Sequence, residues 1–222
     1  MNTDDILAEF EASGSERLRA QNARHGVDQR QFGVKMGDIR AMAKRIKKNH
    51  PLAIDLWSSG YFESQMLALL ILNPRELTVE DMDGMVQSIR SPQVADWFGT
   101  NVSKKHPDKE QARQIWMVSD HSWALRAGWS LTAERIAKDA DGLNLEALLE
   151  RIATEMPTAS PQVQWMINTA LAFIGIHHAA LREQAVTLGE RMGIYRDYPT
   201  PKGCTSPFAP IWIAEMVRRQ AV

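Results

Sequence analysis

Residues 160–174, SPQVQWMINTALAFI, contain the clearest secondary-structure signal in the chain. Apolar residues recur there at intervals of three and four positions, the spacing that places side chains on one face of an α-helix. Ser160 and Pro161 precede the stripe as an N-cap residue and a proline at the first helical position, a common start of a helix. The stretch therefore predicts an amphipathic helix over 161–175.

The same apolar spacing recurs along most of the sequence, and no segment shows the sustained alternation that is typical of a strand. We therefore predict an all-α protein. The predicted helices form pairs with short connections: 51–58 with 63–72, 79–90 with 92–104, 109–118 with 122–137, 144–155 with 161–175, and 179–192 with 207–219.

The spacing of these pairs predicts how they are organised. The first helices of successive pairs begin 28, 30, 35 and 35 residues apart, which favours an α-solenoid of HEAT-like antiparallel helix pairs, although HEAT units are usually about 40–47 residues long. Since no linker or composition shift interrupts the chain, we predict one curved domain over 1–222 with about six helix pairs and a capping helix at 207–219. A bundled all-α domain remains the alternative.

Composition excludes several classes of protein. With 222 residues, 44% of them hydrophobic and 24% charged, the chain is typical of a globular protein. The single cysteine, Cys204, excludes a disulfide framework and a cysteine-based zinc site. The acidic N-terminus does not resemble a signal peptide, and the longest apolar run, Met66 to Leu72, is too short to span a bilayer. We expect a soluble, cytoplasmic protein.

Sequence motifs for metal, nucleotide and covalent chemistry are absent. The chain contains no HExxH motif, no Walker A loop, no GxGxxG after a strand and no GxSxG elbow. His177 and His178 are adjacent instead of four residues apart, so they do not form a helical zinc pair. We predict no metal and no cofactor.

Positive charge is concentrated early in the chain, although the formal net charge is only −1. Between Arg30 and His50 there are seven basic residues and one acidic residue. Four of the basic residues fall on one face of a predicted helix: Arg40, Lys44, Lys47 and Lys48. A second pair of basic residues, Lys104 and Lys105, lies at the end of the predicted helix 92–104. Such residues form either a solvated helix face or contacts to the phosphates of a nucleic acid, and both interpretations remain open.

Two segments resemble a known family. The stretch 32–44, FGVKMGDIRAMAK, resembles the opening motif of the AlkD family of DNA alkylation repair proteins, and 122–127, SWALRA, resembles the family's W-x-x-R-x-A helix. The resemblance extends over most of residues 15–195. It implies tandem HEAT-like helix pairs and excision of N3- and N7-alkylated purines from duplex DNA.

The resemblance also implies which residues act on DNA. Alignment of 92–104 with the family's catalytic helix places Asp96 at the catalytic aspartate, and Arg126 falls on the family's arginine. Two positions that carry aromatic clamps in the family hold Pro92 and Thr169 here. Trp165 lies one helical turn before Thr169, so it is the candidate replacement on that face.

We therefore predict a monomeric protein that binds duplex DNA on a basic concave face. Whether it is an enzyme stays open; the activity that the resemblance implies is that of a hydrolase that excises alkylated purines through Asp96 and Arg126. Because both clamp positions lack an aromatic residue, a non-catalytic DNA-binding paralogue is one alternative, and a protein–protein scaffold is the other. The predicted DNA-binding residues are Lys35, Arg40, Lys44, Lys47, Lys48, Lys104, Lys105, Arg126 and Trp165.

Overall fold

The structure, a computed structural model, describes residues 1–220, and every regular element among them is a helix. The prediction of an all-α protein is therefore confirmed. The chain divides into two compact units, of which unit 1 comprises Met1–Ala112 and unit 2 begins at Arg113. The prediction of one curved domain stays a prediction. No helix within residues 1–220 is both long and apolar enough to cross a membrane.

Unit 1 consists of helices joined by short loops and two 3-10 turns, at 74–76 and 103–105. Its complete helices are α1 (Thr3–Ser13), α2 (Glu16–Arg24), α3 (Met36–Ile46), α4 (His50–Ser58), α5 (Phe62–Ile71), α6 (Val79–Gln87) and α7 (Pro92–Asn101). The boundary of the unit falls within α8 (Lys109–Trp116).

Helix α5 is the centre of unit 1. It packs against α3, α4 and α7, and every residue from Phe62 to Leu69 is buried. Burial on all sides explains why its sequence, FESQMLALLI, has no polar face. Because α3 and α7 both pack against this core helix, α5 sets the positions of the two helices that carry the predicted DNA-binding residues.

Unit 2 is organised around one long helix. Its helices after α8 are α9 (Ser122–Lys138), α10 (Leu145–Glu155), α11 (Pro161–His177), α12 (Arg182–Met192) and α13 (Ala209–Gln220). Helix α11 packs against the other four, and its apolar stripe supplies fully buried residues such as Ile167, Leu171 and Ile174. The prediction of a helix over 161–175 is confirmed, and the helix continues to His177; no residue from Gln162 to Ile176 is exposed, so the helix lacks the exposed polar face of an amphipathic helix.

Several helices end earlier than the sequence predicts. Helix α3 ends at Ile46 because Lys47 adopts a φ of 64°, in the left-handed region. Helix α7 ends at Asn101, and Val102 leaves the helical region with φ −120° and ψ −77°. Lys104 and Lys105 therefore lie on a separate 3-10 turn and not on the end of a helix. At α7 the apolar pattern did not reveal the end because Val102 continues the spacing four residues after Phe98, and at α3 the basic residues 47–48 fitted the polar face of a longer helix.

Candidate nucleic-acid interface

Three of the predicted DNA-binding residues extend into solvent from the start and the body of α3. Lys35 is the N-cap residue of α3, and Arg40 and Lys44 lie one turn apart within the helix; all three side chains are exposed. The opposite face of α3 carries the buried Ile39 and Met42, which hold the helix on unit 1. The amphipathic pattern of α3 therefore directs these positive charges outward.

The structure corrects the prediction for Lys47 and Lys48. Because α3 ends at Ile46, neither residue belongs to the helical face on which the sequence placed them. Lys47 is exposed in the turn, whereas the Nζ of Lys48 donates hydrogen bonds to the carbonyl oxygens of Leu70 and Leu72, at 3.1 and 2.6 Å. A lysine at this position neutralises the negative end of the α5 dipole. Lys48 is therefore part of the framework of unit 1 as well as a source of positive charge.

Lys48 and Lys105 lie close enough for their charges to interact. Burial lowers the pKa of the Lys48 ammonium, and repulsion from Lys105 lowers this pKa further. The 3-10 turn after α7 and the loop after α3 thus bring basic residues from distant parts of the sequence together. Lys105 is exposed, and Lys104 is half-buried.

A cation–π contact joins the middle of α3 to α7. The guanidinium carbon of Arg40 lies 5.3 Å from the centroid of the Trp97 ring. Trp97 is half-buried, and the adjacent Asp96 is exposed on α7. The contact places Asp96 on the helix that faces the basic side of α3. The pairs Arg40 with Trp97 and Lys48 with Lys105 each join the α3 segment to the α7 segment. We use the term basic surface for these four residues and the other predicted cations of the two segments: Lys35, Arg40, Lys44, Lys47, Lys48, Trp97, Lys104 and Lys105.

Basic residues outnumber acidic residues in the two segments that carry the basic surface. Segments 35–48 and 92–105 carry eight basic residues and two acidic ones, Asp38 and Asp96. One of the basic residues, Arg45, pairs with Glu9 of α1 at 2.8 Å. The remaining excess of positive charge is local to these segments, and it gives this part of unit 1 a favourable potential for a polyanion.

The start of the motif at residues 32–44 has a structural role that sequence reasoning did not identify. The backbone N–H groups of Phe32, Gly33 and Val34 all donate to the carboxylate of Glu63, at 2.9, 2.7 and 3.2 Å. Glu63 is fully buried in α5. A single acidic residue within the apolar sequence of α5 was the available signal, because a buried carboxylate requires several hydrogen-bond donors.

Arg126 is nearly fully buried in α9, with 4% of its surface exposed. Asp96, in contrast, is exposed, and the two residues belong to different units. The roles that the resemblance implies for Asp96 and Arg126 therefore stay predictions. Two other basic residues of α9 contact residues of the same helix or of the turn that follows it. Lys138 pairs with Glu134 at 2.8 Å, and Arg135 donates to the carbonyl oxygens of Asp139 and Asp141.

Trp165 lies in a cluster of aromatic rings in unit 2. Its ring centroid is 5.3 Å from that of Tyr195 and 5.7 Å from that of Tyr198, and the two tyrosine rings are 5.7 Å apart. We call these three residues the aromatic cluster. The tyrosines come from the loop after α12, and no apolar periodicity there linked them to α11. Sequence reasoning therefore found only the tryptophan.

The two positions without an aromatic clamp have ordinary structural roles. Pro92 opens α7 at an exposed position, and the side chain of Ser91 caps the helix through the N–H of Val94 at 3.3 Å. Thr169 donates its hydroxyl to the carbonyl oxygen of Trp165 at 3.0 Å. Lys202 and Cys204 are exposed in the loop before α13.

Fold and charge distribution together define a class: all-helical proteins with a local concentration of basic residues on the surface of one unit. Within this class, residues 6–211 match the family described as DNA alkylation repair enzyme. The chain belongs to this family. Similar proteins include uncharacterised proteins of Listeria innocua and Listeria monocytogenes, each 27% identical over 165 residues, which is 73% of this chain and 72% of the relative.

A solved structure shares the fold. It belongs to a family described as related to the HEAT-like repeat DNA glycosylases, with affinity for branched DNA structures. The TM-score is 0.78 at 21% sequence identity, and the match covers 99% of this chain and 95% of the other. The HEAT-like helical fold predicted from the spacing of the helix pairs is confirmed by this similarity.

Proposed function

We propose that this protein binds DNA through the basic surface of unit 1. The observation that carries the proposal is the exposure of Lys35, Arg40 and Lys44 on the outer side of α3, together with the contact of Arg40 with Trp97 of α7. Cations in this arrangement gain affinity for DNA because each phosphate contact releases condensed counterions. Membership of the alkylation repair family and the affinity of the structural neighbour for branched DNA both support a DNA ligand.

Arg40 is the residue best prepared to contact a phosphate. Its guanidinium lies at the ring of Trp97, so the side chain is partly ordered before DNA binds. A guanidinium that lies against a ring still has N–H donors in its own plane, and two of them can bind two oxygens of one phosphate. Lys44, in contrast, extends into solvent and contributes as a mobile point charge.

Replacing Lys44 and Lys47 together with glutamate is expected to weaken DNA binding and to reduce its salt dependence. If each lysine contacts one phosphate, the slope of log K against log salt becomes shallower by about 2. Fluorescence anisotropy with a labelled duplex over a salt series measures the effect. Helical circular dichroism should not change, because both side chains are exposed.

The matched control replaces Arg17 and Arg24 with glutamate. Both side chains are exposed on α2 of the same unit, and the change in net charge is the same. If this control weakens binding as much as the lysine pair does, overall charge and not the basic surface determines affinity. If the wild type does not bind DNA at all, the protein–protein scaffold alternative becomes the better interpretation.

Excision of alkylated purines is the second candidate function, and it is favoured by an exposed carboxylate, that of Asp96, on the helix whose Trp97 contacts Arg40. Loss of a cationic base leaves positive charge on the deoxyribose, which a fixed carboxylate stabilises. Because the base already carries a positive charge, it leaves without a general acid. An exposed carboxylate acts through a high local dielectric, so bound DNA has to exclude water from Asp96 before the residue becomes effective.

The replacement Asp96→Asn tests this candidate. We expect any release of N7-methylguanine from a duplex to disappear in this variant, since asparagine has the same shape without the charge. Abasic sites are scored by alkaline strand cleavage, and duplex binding is measured in parallel to confirm that the DNA still binds. Release that persists in the variant contradicts the role of Asp96. Binding without release by the wild type identifies the non-catalytic alternative.

A further inference from the structure

The aromatic cluster presents ring surface to solvent on unit 2. Tyr198 is 46% exposed, and Trp165 and Tyr195 are half-buried. Each of the three rings contacts the other two at tilted or edge-on angles of 54–88°. In edge-on packing the edge of one ring covers part of the face of its neighbour, so the ring surface open to another flat group is mainly that of Tyr198, the most exposed of the three.

The protein holds the cluster in a fixed arrangement. Tyr195 packs against the hydrophobic core of unit 2, and its backbone has a φ of 64°, a conformation that few residues other than glycine adopt. The N–H of Tyr198 donates to the carbonyl oxygen of Tyr195 at 3.2 Å, which closes the turn between the two tyrosines. Non-glycine residues persist in this conformation when surrounding contacts enforce it, and such residues are concentrated at functional sites.

A second set of contacts anchors the loop that carries the tyrosines. Arg196 pairs with Glu190 of α12 at 2.8 Å, and its guanidinium lies 4.6 Å from the centroid of the Phe208 ring. The side-chain amide of Asn168 on α11 donates to the carbonyl oxygen of Pro207 at 2.9 Å. The loop is thus attached to α11 and α12 on both sides of the cluster, so little conformational entropy is lost when a ligand binds.

The chemistry of the cluster suits a neutral, flat ligand near a phosphate chain. The phenols of the cluster are uncharged at neutral pH, as tyrosines ordinarily are, and burial, with a smaller contribution from Tyr198, raises the pKa of Tyr195 further, to about 12. Arg191 and Lys202 are exposed and each lies four residues from a tyrosine of the cluster in the sequence, while the exposed Asp197 lies between the two tyrosines. Proteins bind single-stranded nucleic acids by combining aromatic rings, on which bases stack, with cations that contact the phosphates.

We infer that the aromatic cluster stacks an unpaired nucleobase, such as one at a gap or a branch in DNA. The inference rests on the proposed function and specifies the form of DNA that unit 2 recognises. Paired bases in a duplex do not present their faces, whereas bases in single-stranded DNA do. The cluster therefore adds affinity for gapped or branched DNA and contributes nothing specific to a fully paired duplex.

Replacing Tyr198 with alanine tests the inference, and Tyr198→Phe is the matched variant that keeps the ring. We expect Tyr198→Ala to weaken binding to a duplex with a short single-stranded gap by about 5- to 150-fold, with no change for the same duplex without the gap. Tyr198→Phe should retain the affinity for gapped DNA. Ile211→Ala, at another exposed apolar residue of unit 2, controls for loss of surface area.

The outcomes separate this inference from the proposed function. Equal losses for gapped and fully paired DNA in Tyr198→Ala overturn base stacking, because they indicate a contact to the DNA backbone. If Tyr198→Ala binds both DNAs like the wild type while the Lys44 and Lys47 variant loses both, the inference is wrong and the proposed function stands. If the wild type binds neither DNA, the proposed function fails and the inference fails with it.

Discussion

Replacing Glu63 with glutamine is expected to lower the free energy of unfolding of the protein by about 3 kcal/mol. One carboxylate oxygen accepts the N–H groups of Gly33 and Val34, and the other accepts the N–H of Phe32. Glutamine keeps one oxygen and replaces the other with an amino group, which donates and therefore opposes one of the backbone donors. The site is fully buried, so water does not replace the lost acceptor.

Urea unfolding measures this effect, and Glu63→Ala should be at least as destabilising because it removes all three acceptor contacts. Glu16→Gln is the control: it makes the same chemical change in an ion pair with Arg19 on the surface of α2. We expect this control to change stability by less than about 0.5 kcal/mol. An unchanged denaturation midpoint for Glu63→Gln refutes the idea that the carboxylate stabilises the 32–34 segment.

Replacing Gly33 with alanine is expected to lower the free energy of unfolding by about 3–5 kcal/mol. Gly33 has a φ of 78°, where a side chain is strained. A Cβ atom at this position lies 2.3 Å from the backbone oxygen of Ser15 and 3.0 Å from the backbone nitrogen of Arg19. Backbone atoms at the start of α2 are not free to move aside as a flexible side chain is.

Gly84→Ala is the matched control for this prediction. Gly84 lies within α6, and a Cβ atom added there has no neighbour within 4 Å. Alanine has the higher helix propensity, so this variant is expected to be more stable than the wild type by up to about 1 kcal/mol. Urea unfolding of both variants gives the comparison. Similar stabilities for Gly33→Ala and Gly84→Ala contradict the steric argument.

These two residues connect the stability of unit 1 with its proposed role. Gly33 and Glu63 fix the 32–34 segment on α5, and α3 with its exposed cations begins directly after that segment. The opening of the 32–44 motif therefore holds the basic surface in position, while its later part, from Lys35 to Lys44, supplies the charges.

Sequence alone determined the helical class, the approximate positions of the helices from residue 51 onward, and the sites of concentrated charge. Apolar spacing, the start at Ser160-Pro161 and the density of basic residues between Arg30 and His50 all depend on neighbours within a few turns of one helix. Such local preferences act before any tertiary contact forms. The arrangement of the helices in pairs was predicted from the same signals, and the spacing of the pairs predicted the HEAT-like fold.

Only the tertiary structure decided how the side chains are used. Lys48 caps α5, Glu63 holds the 32–34 segment, and Trp165 contacts two tyrosines of a distant loop. In each case the partners lie more than twenty residues apart, so no periodic pattern connects them. The direction of a side chain and the partner it reaches depend on which helices pack together, and that packing is a property of the folded chain.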